Sequence, residues 1–93
     1  MIKAGISFEA EMNLEQAREL ARLMEGARPT RPAGVETALL EYNGGRGRLV
    51  AVWRDAETLD RYLAEAPVPR GTELMRKIGL EPQVSRFDIL EIG

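Results

Sequence analysis

The sequence predicts an α+β domain in which four strands form one antiparallel sheet and two main helices cover a single face of it. Three observations carry that expectation. Runs with a two-residue apolar period alternate with runs of helical period. A glycine-rich turn, Asn43-Gly44-Gly45-Arg46-Gly47, joins the two middle strand-like runs directly. The 93 residues, 44% hydrophobic and 30% charged, suit one small globular domain over 1–93.

From Ile2 to Glu9 the chain alternates, with Ile2, Ala4, Ile6 and Phe8 opposed to Lys3, Gly5, Ser7 and Glu9, and this predicts the first strand. Asn13 stands where a helix N-cap belongs, and Gln16 three residues on completes a capping box. Leu14, Ala17, Leu20, Ala21 and Met24 then recur at helical spacing, with Gly26 and Pro29 as the expected stop. Arg28 to Gly34, with two prolines and a glycine, reads as a loop. Val35 to Tyr42 and Arg48 to Trp53 read as a hairpin across the glycine-rich turn. A second helix behind Asp55 presents Leu59, Tyr62, Leu63 and Ala66 until Pro67 and Pro69 end it. Thr72 is expected to cap a short third helix carrying Leu74, Met75 and Ile78, closed by Gly79 and Pro82. Val84 to Ile92 reads as the last strand, with Phe87 and Ile89 opposed to Arg86, Asp88 and Leu90.

The resulting order, β-α-β-β-α-β with a small extra helix, is that of ferredoxin-like folds. Right-handed crossovers put strands one and three in the middle of the sheet. Leu49-Val50-Ala51-Val52-Trp53 is apolar on both faces, and Leu39-Leu40 continues the pattern in the neighbouring strand. Helices on one side cover only half of that surface, so a second copy is expected to cover the rest, giving a homodimer through the sheet face.

Composition narrows the chemistry. Without cysteine the chain has no thiolate nucleophile and no disulfide, and without histidine it lacks the commonest general base and transition-metal ligand. No metal site and no cofactor are expected. A net charge of -2 offers no basic field for nucleic acid, and nothing approaches a membrane span or a signal peptide, so the expected location is the cytoplasm. Basic residues are almost all arginine, with Lys only at 3 and 77, which leans toward a thermophilic or GC-rich source.

Trp53 is the only tryptophan, and it closes an interior strand just before a helix. Its plain reading is a core residue whose indole N–H bonds a carbonyl; its functional reading is the wall of a ligand cavity, with Ala51 on the same side leaving room beside the ring. Tyr62, Tyr42 and Arg54 are the candidate polar contacts for a small hydrophobic or aromatic ligand. Amphipathic aromatics at these spacings are more often core with a wet tip, and Arg54, Arg86 and Asp88, which could orient an anionic or phenolic ligand, are at strand ends where charges are usually solvated or paired on the surface. The glycine-rich turn is not a phosphate cradle, because it leads into a strand rather than a helix. The third strand places Arg48 and Val50 where an RNA-recognition motif needs stacking rings. Carboxylate pairs such as Glu9 with Glu11 or Glu15 with Glu19 read as solvated charge.

Val52-Trp53-Arg54-Asp55-Ala56-Glu57-Thr58-Leu59, with Tyr62 one turn on, resembles the strand-to-helix junction of the antibiotic biosynthesis monooxygenase-like proteins of the dimeric α+β barrel superfamily. The resemblance implies a homodimer and a small-molecule cavity in each subunit with Trp53 on its wall. Some relatives oxygenate aromatic polyketides or quinols without metal or flavin, and others degrade haem. The latter hold iron with a histidine, and this chain has none. They also place an asparagine on the first strand, where this chain has Gly5 and Ser7, while the oxygenases have one just before the tryptophan, where this chain reads Leu49-Val50. Two readings of function follow: a cofactor-independent monooxygenase, and a non-catalytic dimeric ligand-binding or regulatory module.

Overall fold

The computed structural model describes residues 2–92, and its elements run β1 (Lys3–Glu11), α1 (Leu14–Ala27), a single 3-10 turn (Arg28–Thr30), β2 (Val35–Asn43), β3 (Arg46–Trp53), α2 (Ala56–Glu65), α3 (Arg70–Arg76) and β4 (Gln83–Ile89). The sheet is antiparallel throughout, in the order β2-β3-β1-β4, so the first and third strands are central as the crossover rule requires. This is the α+β, ferredoxin-like arrangement that the element order predicts.

Residue alternation divides the sheet cleanly. In register, Ala4 pairs with Trp53, Ile6 with Ala51 and Phe8 with Leu49, and this face packs with Leu20 of α1, Leu59 of α2 and Met75 of α3, each of which is fully buried. Trp53 therefore faces the helices. The opposite face carries Gly5, Ser7, Val50, Val52, Leu39, Phe87 and Ile89, with the Phe87 ring lying over Gly5 so closely that a Cβ there would meet it at 2.4 Å. Ion pairs ring this patch: Lys3 with Glu36, Arg46 with Glu9, and Arg48 with Glu41. Leu39, midway along the edge strand β2, remains 46% exposed on this face.

Local signals place the helix starts. Asn13 accepts the Gln16 amide at 2.8 Å while the Gln16 side chain accepts the Asn13 amide at 2.9 Å, the reciprocal capping box. Asp55 caps α2 by accepting the Thr58 amide at 2.7 Å, and that bond, with a second from the Thr58 hydroxyl, holds its carboxyl below the usual carboxylate range. Arg86 of β4 reaches back to Asp60 at 2.9 Å and also pairs with Asp88, tying the edge strand to α2.

Several expectations are corrected. Gly26 does not end α1, because none of its neighbours needs a positive φ; the helix continues to Ala27 and tightens into a 3-10 turn at Arg28, where Pro29 cannot donate to an α-helical ladder. Leu14 is 47% exposed, and Leu23 joins the core in its place. The hairpin turn shrinks to Gly44-Gly45, with φ of 55° and 93°, so β3 begins at Arg46. Thr72 does not cap α3: it is buried inside a helix that starts at Arg70 behind Pro69. The last strand stops at Ile89, since its partner β1 ends opposite at Lys3, which leaves Leu90 and Ile92 exposed. Among the described residues no helix is long and apolar enough to cross a membrane.

Candidate functional site

A cavity of about 320 Å³ lies between the sheet and the helices, beside Trp53. Its floor is Ile6, Phe8, Leu49, Ala51 and Trp53, the helix-facing residues of the two central strands. Tyr62 of α2, Leu74 of α3, Ala21 and Met24 of α1 and Ala38 of β2 complete the apolar lining. The small side chain of Ala51 between the bulkier Leu49 and Trp53 leaves the space that strand alternation predicts.

Trp53 is 2% exposed, and two contacts set its orientation. The backbone N–H of Arg54 donates to the Gly34 carbonyl at 2.9 Å, drawing the loop before β2 over the ring. A Cβ on Gly34 would sit 2.6 Å from the Trp53 Cε3 atom and 2.8 Å from Cζ3, so only glycine allows this approach. Because that edge abuts Gly34, the Nε1 edge is turned away from the loop. Nε1 is buried and has no hydrogen-bond partner, contrary to the expected bond to a carbonyl. A buried N–H without an acceptor costs about 1–3 kcal/mol, and it is uncommon enough to call for an explanation.

Tyr62 stacks obliquely against this ring, with centroids 5.0 Å apart and planes at 38°. Its hydroxyl oxygen accepts the Arg70 backbone N–H at 2.9 Å and so supplies the cap that Pro69 cannot provide to α3. The phenol proton donates to no acceptor among the described residues. Two adjacent rings on the cavity wall thus each carry an uncommitted donor.

Ala51, Trp53 and Tyr62 line the cavity together, while Tyr42 and Arg54 do not. Tyr42 is on the helix-facing side of β2 but pairs with Gly47 at the hairpin end, beyond the cavity, and is 38% exposed. Arg54 follows the last residue of β3, where the chain turns into the Asp55 cap, and its exposed guanidinium lies 3.5 Å from Asp55 and 3.4 Å from the Thr58 hydroxyl. Sequence reasoning missed the arginines of the mouth: Arg28, Arg31 and Arg70 all line it, together with Glu25. One signal for them was present, since the run Arg28-Pro29-Thr30-Arg31-Pro32-Ala33-Gly34 holds two arginines and no acid. Among the described residues no group of three or more His, Cys, Asp or Glu could hold a metal ion.

This chain has the fold of the antibiotic biosynthesis monooxygenase-like proteins. It is similar to a candidate antibiotic biosynthesis monooxygenase from Bordetella bronchiseptica, at 16% identity over 92% of this chain and 95% of that one with a TM-score of 0.66. It is also similar to SnoaB, a cofactor-independent oxygenase from Streptomyces nogalater, at 13% identity over 99% and 93% with a TM-score of 0.58. The haem-degrading protein Rv3592 from Mycobacterium tuberculosis shares the fold as well, at 16% identity over 99% and 97% with a TM-score of 0.62. No protein-family model matches the sequence, and no curated protein matches it significantly.

Proposed function

We propose that the chain binds a small aromatic molecule bearing acceptor oxygens, a phenol, quinol or quinone, in the cavity beside Trp53. The observation that carries this reading is the pair of uncommitted donors, Trp53 Nε1–H and the Tyr62 hydroxyl, on one apolar wall. A bound oxygen offers the acceptor that the protein withholds, and the cavity volume falls in the lower part of the range usual for small-ligand sites. The N–H is not exposed within the void itself, so engaging it requires a slight turn of the ring.

Oxygenation without metal or flavin is the activity this ligand class admits. Donors aimed at a phenolic oxygen stabilise its anion, and apolar walls exclude water. The likeness to SnoaB favours that reading. Against it, the only carboxylate on the cavity lining is Glu25, at the mouth, so no internal base stands ready to take a proton, which favours a non-catalytic binding or regulatory module.

The site belongs, in this reading, to a homodimer formed through the open sheet face. An apolar band running from Leu39 on one edge strand through Val52 to Phe87 on the other, flanked by ion pairs, has the anatomy of a protein interface.

As the only tryptophan, Trp53 gives one indole N–H resonance in a proton–nitrogen correlation spectrum. Titration with 1-naphthol and 1,4-naphthoquinone should move that resonance and raise the thermal midpoint. A resonance unmoved by either compound would count against binding at this wall. Dioxygen uptake with 1,4-dihydroxynaphthalene, above the rate without protein, separates the oxygenase from the binding module.

A further inference from the structure

We propose that the mouth of the cavity binds the anionic group of the ligand, through Arg28 and Arg31 in the field of Arg70, so that the ligand is an aromatic acid. The inference rests on the cavity-binding reading and adds a substrate class to it. Seven arginines, Arg22, Arg46, Arg48, Arg54, Arg61, Arg76 and Arg86, each pair with a carboxylate. Among the described residues four do not, and three of those four line this one mouth. On a chain of net charge -2, three cations without a paired carboxylate therefore stand together at one opening.

The three guanidinium groups are held differently, and the difference matters. Arg70 is fixed: it donates to the Thr30 carbonyl at 2.7 Å, the Thr30 hydroxyl at 3.1 Å and the Ala27 carbonyl at 3.4 Å, all neutral acceptors that leave its charge uncancelled. Arg31 makes one long bond, 3.4 Å to the Glu36 carbonyl, and the Arg28 side chain makes none. Both are exposed and free to fold over an occupant, and a guanidinium presents the planar donor fork that matches a carboxylate or sulfonate. Glu25 is the single opposing charge on the lining. The polarity of the site then orients its ligand, with the ring and its oxygens inward against Trp53 and Tyr62 and the acid outward.

Two probes with one ring skeleton test this: 1-anilinonaphthalene-8-sulfonate, which is anionic, and N-phenyl-1-naphthylamine, which is neutral. Binding is read by probe fluorescence and located by the Trp53 indole resonance. The Arg28→Gln, Arg31→Gln double variant, which removes no strong protein contact, should weaken the anionic probe by about tenfold and reduce its salt dependence to the part that Arg70 supplies, while leaving the neutral probe unchanged. Equal effects on both probes, or no effect on either, would overturn the inference while leaving cavity binding in place. Sulfonate fluorescence that rises without moving the indole resonance would place that probe elsewhere and overturn it too. If neither probe binds the unaltered protein, the cavity-binding reading falls and takes this inference with it.

Discussion

The hydroxyl of Tyr62 on α2 caps α3 by accepting the Arg70 backbone N–H at 2.9 Å, so a side chain of the cavity wall also anchors the neighbouring helix. Tyr62→Phe removes the acceptor and leaves a half-buried N–H unpaired. The expected cost is about 1–3 kcal/mol, read as a lower urea midpoint at unchanged slope, with faster hydrogen exchange at the Arg70 amide. An unchanged midpoint would mean that water replaces the phenol at no loss.

Gly34→Ala places a methyl 2.6 Å from the Trp53 ring and 2.5 Å from the Thr58 methyl. Thr58 is light and can give way, whereas the buried indole, with Tyr62 beside it, is larger and has less room to move. Overpacking of this kind costs about 1–3 kcal/mol, and here it pushes the ring toward the cavity. A drop in thermal midpoint should accompany a shift in Trp53 fluorescence. Stability lost with no change in emission would show that Thr58 alone takes up the strain.

Asp55 should make stability fall in acid. The Thr58 amide lowers its folded-state pKa below the ordinary 3.8, so the native state binds this proton less readily than the unfolded chain does. The contribution is complete above the ordinary value and disappears as pH falls below it through the lowered one. Glu81, bonded to Arg76 at 2.8 and 2.9 Å, acts in the same direction. Urea midpoints measured from neutral pH into acid should decline, and Asp55→Asn, which keeps a capping oxygen but does not titrate, should flatten part of that decline.

Leu39→Lys tests the proposed pairing of sheets. The side chain stands nearly half exposed on the open face, midway along the edge strand β2, and supports nothing on the helix side. Sedimentation should give a two-chain mass for the parent protein and a single-chain mass for the variant, with the same circular dichroism. A parent protein of single-chain mass at micromolar concentration would remove the homodimer from the proposal.

Features written in neighbouring residues were legible in the sequence, and features written across the fold were not. Asn13 and Gln16 satisfy each other within one helical turn, and Asp55 accepts the Thr58 amide over the same span, so both caps could be read directly. The α3 cap could not, because its acceptor is Tyr62, eight residues earlier on another helix. Thr72 had the right chemistry for a cap, but Pro69 had already turned the chain into a helix. The alternation of Leu90 and Ile92 continued past β4, yet pairing needs a partner, and β1 ends at Lys3. In the cavity, Ala51 and Trp53 followed from the two-residue strand period. The arginines did not, since Arg28, Arg31 and Arg70 meet only when the end of α1 and the start of α3 are brought together.

The irregularity between Val35 and Thr37, where Glu36 slips out of register against β3, lies on the edge strand β2. An incoming strand finds no unbroken ladder there, because a bulge twists the edge and disrupts its spacing. At the other edge, β4 carries Arg86 and Asp88, whose charges resist the same docking. Fibre-like growth from edge to edge is therefore disfavoured at both ends of the sheet. In the proposed homodimer, two open faces meeting about a two-fold axis would cover each other and leave neither for a third chain to join.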